Sequence, residues 1–329
     1  MVRTGSHGYI KYGWEGTTHG ALASGETADK KFGLQDRLSS LSISNNRQNL
    51  GALNQNTLQN FAYGQQQGTA SVGFVLANPW LFGALLGEPS KTGSNPYVYV
   101  YPHASNGINK EPRTIQVEVG FDGASADIVR TLKGCLVNSM SISAAVGGMV
   151  ECTAEISFGK ESEPSASLGS APSAQGQEFP YTFAHAELTV GGQLVAQCQD
   201  ANINLSQNSE LLYGLNSHQA VSSYRRILDI TGSFRASWID KDLLIDTLKQ
   251  IKEGGNSAEY KETVAGSPEF QFTFIKNATN EKIIITGTGL SVTDHALSGF
   301  EPVEPIFEEI NWQMKTVTVT ATNTSSAEE

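Results

Sequence analysis

The chain has 329 residues, with 22 Lys and Arg against 33 Asp and Glu, for a formal net charge of −11. That length accommodates two domains, each able to bury its own core, and no run of about 18 apolar residues is present to cross a membrane as a helix. The acidity is uneven: residues 1–160 hold 12 basic and 11 acidic side chains, whereas residues 161–329 hold 10 and 22, which excludes a basic stripe of the kind that grips nucleic acid.

Residues 1–33 contain seven glycines together with Tyr9, Tyr12 and Trp14. They have no clear counterpart later in the chain and read as an N-terminal arm rather than a domain. No basic segment followed by an apolar one opens the chain, so no secretory signal is expected. Leu41-x-Ile43 begins a strand. The Asn- and Gln-rich run from Asn45 to Gln67 is too long for a tight turn and predicts an extended excursion or loop. A short helix is expected over Asn78–Gly87, with Asn78 as cap, Pro79 in the first turn and Gly87 as terminator. Tyr97–Tyr101, bounded by Pro96 and Pro102, reads as a strand. So do the alternating sets Ile115-x-Val117-x-Val119-x-Phe121 and Cys152-x-Ala154-x-Ile156-x-Phe158.

Glu161–Pro180 is rich in Ser, Ala, Gly and Pro and predicts a linker. Beyond it, Ile203-x-Leu205, Phe270-x-Phe272-x-Phe274, Ile310-x-Trp312-x-Met314 and Val317-x-Val319 have strand periodicity. Asp240–Ile251 predicts a second helix, with Asp240 at its N-cap, Leu244, Leu248 and Ile251 on one face, and Gly254-Gly255 ending it. The polar segment Ala321–Glu329 predicts a flexible tail.

The two halves of the chain repeat one another. Leu41–Leu86 aligns with Ile203–Leu248 without a gap at an offset of 162, with coincidences that include Ser44/Ser206, Asn46/Asn208, Leu50/Leu212 and Thr69/Thr231. A second block at an offset of 155 pairs Gln116/Gln271, Ile128/Ile283, Gly134/Gly289 and Val137/Val292. A third sets Glu155-Ile156-Ser157-Phe158 against Glu309-Ile310-Asn311-Trp312. A period of that length is domain-sized, too long for a solenoid or propeller. The expected organisation is an arm (1–33), a first β unit (34–160), a linker (161–180), a second β unit (181–320) and a tail (321–329). The expected fold class is all-β, with one short helix per unit.

No catalytic or metal-binding constellation is present. His7, His19, His103, His185, His218 and His295 lack ligand spacing. Asp294 and His295 are sequence neighbours, which on a strand point to opposite faces. Cys135, Cys152 and Cys198 are too scattered for a disulfide framework or a zinc site and read as small apolar residues. The acceptor patterns at Asn204 and Asn277 are read as coincidences. Trp14, Trp80, Trp238 and Trp312 are core or interface anchors. No enzymatic activity, cofactor or metal is expected.

Tandem copies of one β unit can stand in for two subunits of a ring, so three such chains give pseudo-sixfold symmetry. The residues also carry a resemblance. Gly13-Trp14-Glu15-Gly16-Thr17, the stretch Ser42–Asn54 followed by Asn78-Pro79-Trp80 and Gly83–Gly87, and Gly299–Pro305 together resemble phage tail tube proteins, over most of residues 8–320. The resemblance implies units that are β-sandwiches or barrels with a flanking helix, in rings that stack into a hollow tail. Some members carry two fused copies and form trimeric rings. It further implies a virion structural protein of a tailed phage or tailed archaeal virus, assembled in the host cytoplasm. Its partners would be itself and other tail proteins at the tube ends, with viral DNA passing without specific binding. No catalytic residue carries over. Acidic side chains lining such a bore would repel phosphate; the candidates are Glu210, Asp229, Glu259 and Glu262. Tyr9, Tyr12 and Trp14 are candidates for contacts between rings, and deleting residues 1–33 is expected to leave both units folded but poorly stacked. The residues leave open a tandem adhesion or carbohydrate-binding module, and a hydrolase with an unfamiliar site.

Overall fold

The computed structural model describes residues 8–50, 60–102, 112–122, 127–162, 179–195, 197–237, 269–276, 281–298 and 306–324. The first half runs through β1 (Gly8–Trp14), β2 (Leu34–Ser44), β3 (Gln48–Leu50), β4 (Asn60–Ala62) and β5 (Gln67–Val75). A 3-10 turn at Trp80–Phe82 leads into α1 (Gly83–Leu86). Then come β6 (Ser90–Thr92), β7 (Tyr97–Pro102), β8 (Ile115–Phe121), β9 (Ile128–Ala145), β10 (Glu151–Phe158) and β11 (Lys160–Glu161). The second half opens with β12 (Tyr181–Val190), β13 (Gln193–Leu194), β14 (Cys198–Ser206), β15 (Glu210–Tyr213), β16 (Ala220–Tyr224) and β17 (Asp229–Ser237). It closes with β18 (Phe270–Lys276), β19 (Lys282–Thr288), β20 (Ser291–Leu297), β21 (Phe307–Met314) and β22 (Thr316–Asn323). The all-β expectation holds. The predicted second helix, Asp240–Ile251, lies outside the described residues.

Alternation does what period-2 patterning predicts. In β8, Ile115, Val117 and Val119 are buried while Gln116 and Glu118 are half-buried. The helix predicted at Asn78–Gly87 divides into a 3-10 turn and one α turn, because every residue from Trp80 to Leu86 is buried and packing dictates the path. Gly87 ends it as predicted, whereas at its start Pro79 rather than Asn78 holds the cap position. Trp80 N–H donates to Asn78 Oδ1 at 3.3 Å, and Gly87, at φ +95°, donates its N–H to Gly83 O. The Asn- and Gln-rich excursion forms the β3–β4 ribbon, and its counterpart is the β15–β16 ribbon.

Eight strands form one sheet in the order β2-β5-β10-β9-β14-β17-β21-β20, with β1, β8 and β11 continuing from the first half of β9. A second sheet runs β13-β12-β18-β19-β22-β7-β6. The sheets pack through their apolar faces, with Phe270 on β18 4.6 Å from Trp312 on β21 between ring centroids. The buried side chains of both halves join in a single core cluster.

Equivalent strands recur at the offsets read from the sequence. Gln67–Val75 and Asp229–Ser237 are nine-residue strands 162 positions apart, and Ile115–Phe121 and Phe270–Lys276 are seven-residue strands 155 apart. Backbone detail recurs too: φ is +42° at Asn46 and +46° at Asn208, and +64° at Gly134 and +67° at Gly289. The bulge in the β9–β10 ladder skips Asn138, and that in β20–β21 skips Thr293, again 155 apart.

Four expectations change. First, residues 8–33 are built into the first unit. β1 pairs with β8 so that Trp14 faces Ile115, as Val190 of β12 faces Phe270 in the second unit, which makes β12 the counterpart of β1. Second, the third sequence block is two residues out of step. Ile156 pairs with Ala70 and Trp312 with Gly232, and Ala70 and Gly232 are 162 apart, so Ile156 corresponds to Trp312. A two-residue slip keeps every side chain on its face, so alternation alone does not detect it. Third, the predicted linker starts inside a strand: Glu161 belongs to β11 and takes two hydrogen bonds from Arg130, at 2.6 and 2.9 Å. Residues 163–178 are outside the described set. Fourth, β22 runs through Asn323, with Ala321 and Asn323 buried, so the ordered chain enters the segment expected as tail.

Gly232 on β17 is hemmed in by the two strands that flank it in its own sheet, β14 and β21. A Cβ there would lie 2.3 Å from the Asn202 carbonyl oxygen and 2.3 Å from Trp312 Cζ2. Because one obstacle is backbone, Gly232→Ala is expected to cost about 2–3 kcal/mol, read as a lower midpoint in urea unfolding with an unchanged slope.

Candidate assembly surface

The eight-strand sheet has one apolar face in the core and one polar face toward solvent. On β10 the inward set Cys152, Ala154 and Ile156 is buried, and the outward set is Glu151, Thr153, Glu155 and Ser157. Outward residues of neighbouring strands line up with these: Glu155 stands opposite Ser71 and Ser139, and Ser141 opposite Asn204. Ser71 Oγ donates to Glu155 Oε1 at 2.7 Å, and Gln313 Nε2 to Asp229 Oδ1 at 3.0 Å. The charges on this face are Glu151, Glu155, Asp200, Asp229, Asp294 and Glu309 against Arg37 and Arg235. Each guanidinium is held by a carboxylate, Arg37 by Glu151 at 3.3 Å and Arg235 by Asp200 at 3.0 Å. The face among the described residues is therefore negative.

Of the four predicted bore carboxylates, Asp229 lies on this face. Glu210 lies off it, at the base of the β15–β16 ribbon, in an exposed ion pair with Arg226. Glu259 and Glu262 lie outside the described residues, as does the Gly299–Pro305 motif. Sequence reasoning passed over Glu151 and Glu155, although they are the polar half of the alternation whose apolar half identified the strand.

Tyr12 and Trp14 are wholly buried, packed edge to face with ring centroids 5.5 Å apart, and Phe32 stacks against Tyr12 at 4.9 Å. In this fold they are core residues, unable to reach another ring. Tyr9 is half-buried and donates to Glu118 Oε1. Glu15 fixes the segment to β9, accepting from Gly134 N–H at 2.6 Å and Gly20 N–H at 3.1 Å. Burial raises its carboxyl above the usual range, offset in part by those two bonds. Several exposed apolar side chains stand at the two ribbons, others around turns, such as Val146 and Met149. Leu50 and Tyr63 flank the first, and Leu212, Val221 and Ile227 the second, with Leu215 entirely exposed at the second ribbon's tip.

The halves meet inside one molecule by an antiparallel ladder between β9 and β14, from Ser139 opposite Ser206 to Ala145 opposite Asp200. Its apolar rungs, Met140 with Leu205 and Ile142 with Ile203, are at most 1% exposed. Beside the ladder, the second half caps α1. Gln207 Nε2 donates to Leu85 O at 3.2 Å and Arg225 Nη1 to Ala84 O at 2.9 Å, which supplies partners to carbonyls that a helix end leaves open. At the sheet's two ends, β2 and β20 each pair on one side only among the described residues.

Among the described residues no group of three or more His, Cys, Asp or Glu could hold a metal ion. Cys135 and Cys152 are buried and their thiols pushed far up by burial; burial, with Asp200 alongside, pushes Cys198 up to about 12. Burial, helped by the charge of Lys160, lowers His19. His295 Nε2 lies 3.2 Å from the buried Glu308 Oε2, and both are inward-facing.

No curated protein matches the chain. A family model described as phage tail tube protein matches residues 5–314, nearly the whole length. On that match, with which its all-β architecture agrees, the chain belongs to the phage tail tube protein family, structural components of the virion tail.

Proposed function

We propose that the protein is the major tail tube subunit, and that three copies close into a ring of six equivalent β units arising from an internal duplication. One observation carries this reading: the eight-strand sheet consists of two four-strand blocks in the same order, joined side by side, with both outer edges available for more of the same. Repeating the step that relates one block to the next extends the sheet from chain to chain. The polar, negative face then lines the bore, with Asp229, Glu155 and Glu309 turned toward a passing DNA. Carboxylates there repel phosphates over roughly a Debye length, near 8–10 Å in physiological salt, so the duplex slides without being held. Stacking of rings falls to the β3–β4 and β15–β16 ribbons, whose exposed leucines and Ile227 are apolar surface that an isolated monomer has no reason to display. Other tail proteins meet the tube at its ends.

Negative-stain electron microscopy of the purified protein, with the mass of a single ring, tests this. Stacked annuli or hollow tubes built from rings of three 35.3 kDa chains are expected. Dispersed monomers, or rings of six full chains, would contradict it.

A further inference from the structure

The internal ladder between β9 and β14 serves as a template for the joint between copies. β14 corresponds to β2 at the offset of 162, so Ile203 matches Leu41 and Leu205 matches Ile43. The second part of β9 corresponds to β20 at the offset of 155, so Met140 matches His295 and Ile142 matches Leu297. The same glycine at positive φ and the same bulge precede both, so the offset holds into the strand. Substituting the matched residues into the observed β9–β14 pairing leaves one register. Resting on the ring reading above, we infer that β20 of one copy pairs antiparallel with β2 of the next, with Leu297 opposite Leu41 and His295 opposite Ile43 on the core side.

Burial supports this choice of edges. Met140, Ile142, Ile203 and Leu205 are at most 1% exposed at the internal joint, whereas two of their four counterparts, Ile43 and Leu297, stand 39% and 43% exposed on strands that pair on one side only among the described residues; Leu41 and His295 are half-buried. Apolar residues on open edge strands invite association, and here β2 carries Leu41 and Ile43 while β20 carries Leu297 beside His295 at the matching spacing. The solvent side of the same ladder sets Asp294 opposite Ser44 and Ala296 opposite Ser42, which continues the polar bore face without a like-charge clash. His295 has its ring nitrogen on Glu308 and a side chain only 7% exposed, so Ile43 would cover the small part of the ring that is left open. The contact is heterologous, and it closes only if the unit-to-unit rotation repeats evenly.

Paired cysteines test the register. In a Cys198→Ser background, Leu41→Cys with Leu297→Cys is expected to convert, on mild oxidation of assembled protein, to a covalently closed three-chain species, because directly opposed strand residues lie within disulfide reach. Leu41→Cys with Ala296→Cys, one residue away and on the other face, is expected to stay uncoupled. A second variant, Ile43→Asp with Leu297→Asp, is expected to keep the circular dichroism of the folded chain while losing rings. If wild-type protein forms rings but the matched pair does not link, or the shifted pair links as readily, or the aspartate variant still assembles, this joint is wrong and the tube reading stands. If wild-type protein forms no rings, the tube reading itself fails and the joint falls with it.

Discussion

Removal of residues 1–33 is expected to abolish folding of the first unit, not merely to weaken stacking as the arm reading of the sequence implies. Ile10, Tyr12, Trp14 and Phe32 leave the core together, each at most 5% exposed in the intact fold. A single buried Trp or Phe replaced by Ala costs about 3–5 kcal/mol, against a total stability of about 5–15 kcal/mol for a typical domain. Losing several such side chains exceeds what the unit has. The deletion also exposes the edge of β8, which β1 covers along seven residue pairs, and removes Glu15 from the Gly134 amide. The expected readout is insoluble protein, or a chain with no cooperative thermal transition. Trp14→Ala alone is the milder form: it loses the Tyr12 contact and the Arg113 guanidinium 4.2 Å from its ring, and about 3–5 kcal/mol is expected by denaturant titration. A truncated chain melting like the full one would show that β1 is dispensable.

The second large effect is expected at Tyr101. The β6–β7 hairpin belongs by sequence to the first half, yet β7 pairs along β22 of the second, from Pro102 opposite Thr318 to Tyr97 opposite Asn323. Tyr101 is wholly buried, 6.2 Å from Phe82 between ring centroids, and Tyr99 packs edge-on against Trp80 at 5.0 Å. These rings tie the hairpin to the Trp80–Phe82 turn of its own half while its backbone completes the other half's sheet. Tyr101→Ala is expected to cost about 3–4 kcal/mol and, unlike an ordinary core truncation, to split one calorimetric transition into two as the halves lose their shared element. A single transition shifted to lower temperature would show that the β9–β14 ladder couples the halves by itself.

Much of this fold was legible because strands buried on one face announce themselves. Ile115-x-Val117-x-Val119 and Phe270-x-Phe272-x-Phe274 lie where the alternation put them, and strands of equal length stand at the offsets of 162 and 155. β1 escaped because Ile10, Lys11, Tyr12, Gly13 and Trp14 are all buried, which leaves no polar and apolar contrast along the strand. Its equivalence to β12 was hidden as well, since Tyr12 and Trp14 answer to Leu188 and Val190, side chains alike only in being apolar. Tyr97–Tyr101 was read correctly as a strand, but which sheet it joins is set by tertiary pairing that no local pattern encodes. The polar face was half legible: Asp229 was named from charge alone, whereas Glu151 and Glu155 needed the burial of Cys152, Ala154 and Ile156 to show which way they point.

The halves are held by two ladders in different layers, β9 with β14 in one sheet and β7 with β22 in the other. A single ladder would act as a hinge. Two at different depths act as the flanges of a girder, because bending about either would have to stretch or compress the other. The angle between the halves is thus set within each monomer, so in the proposed ring a neighbour would join an arc whose curvature already exists and need not give up hinge freedom to create it.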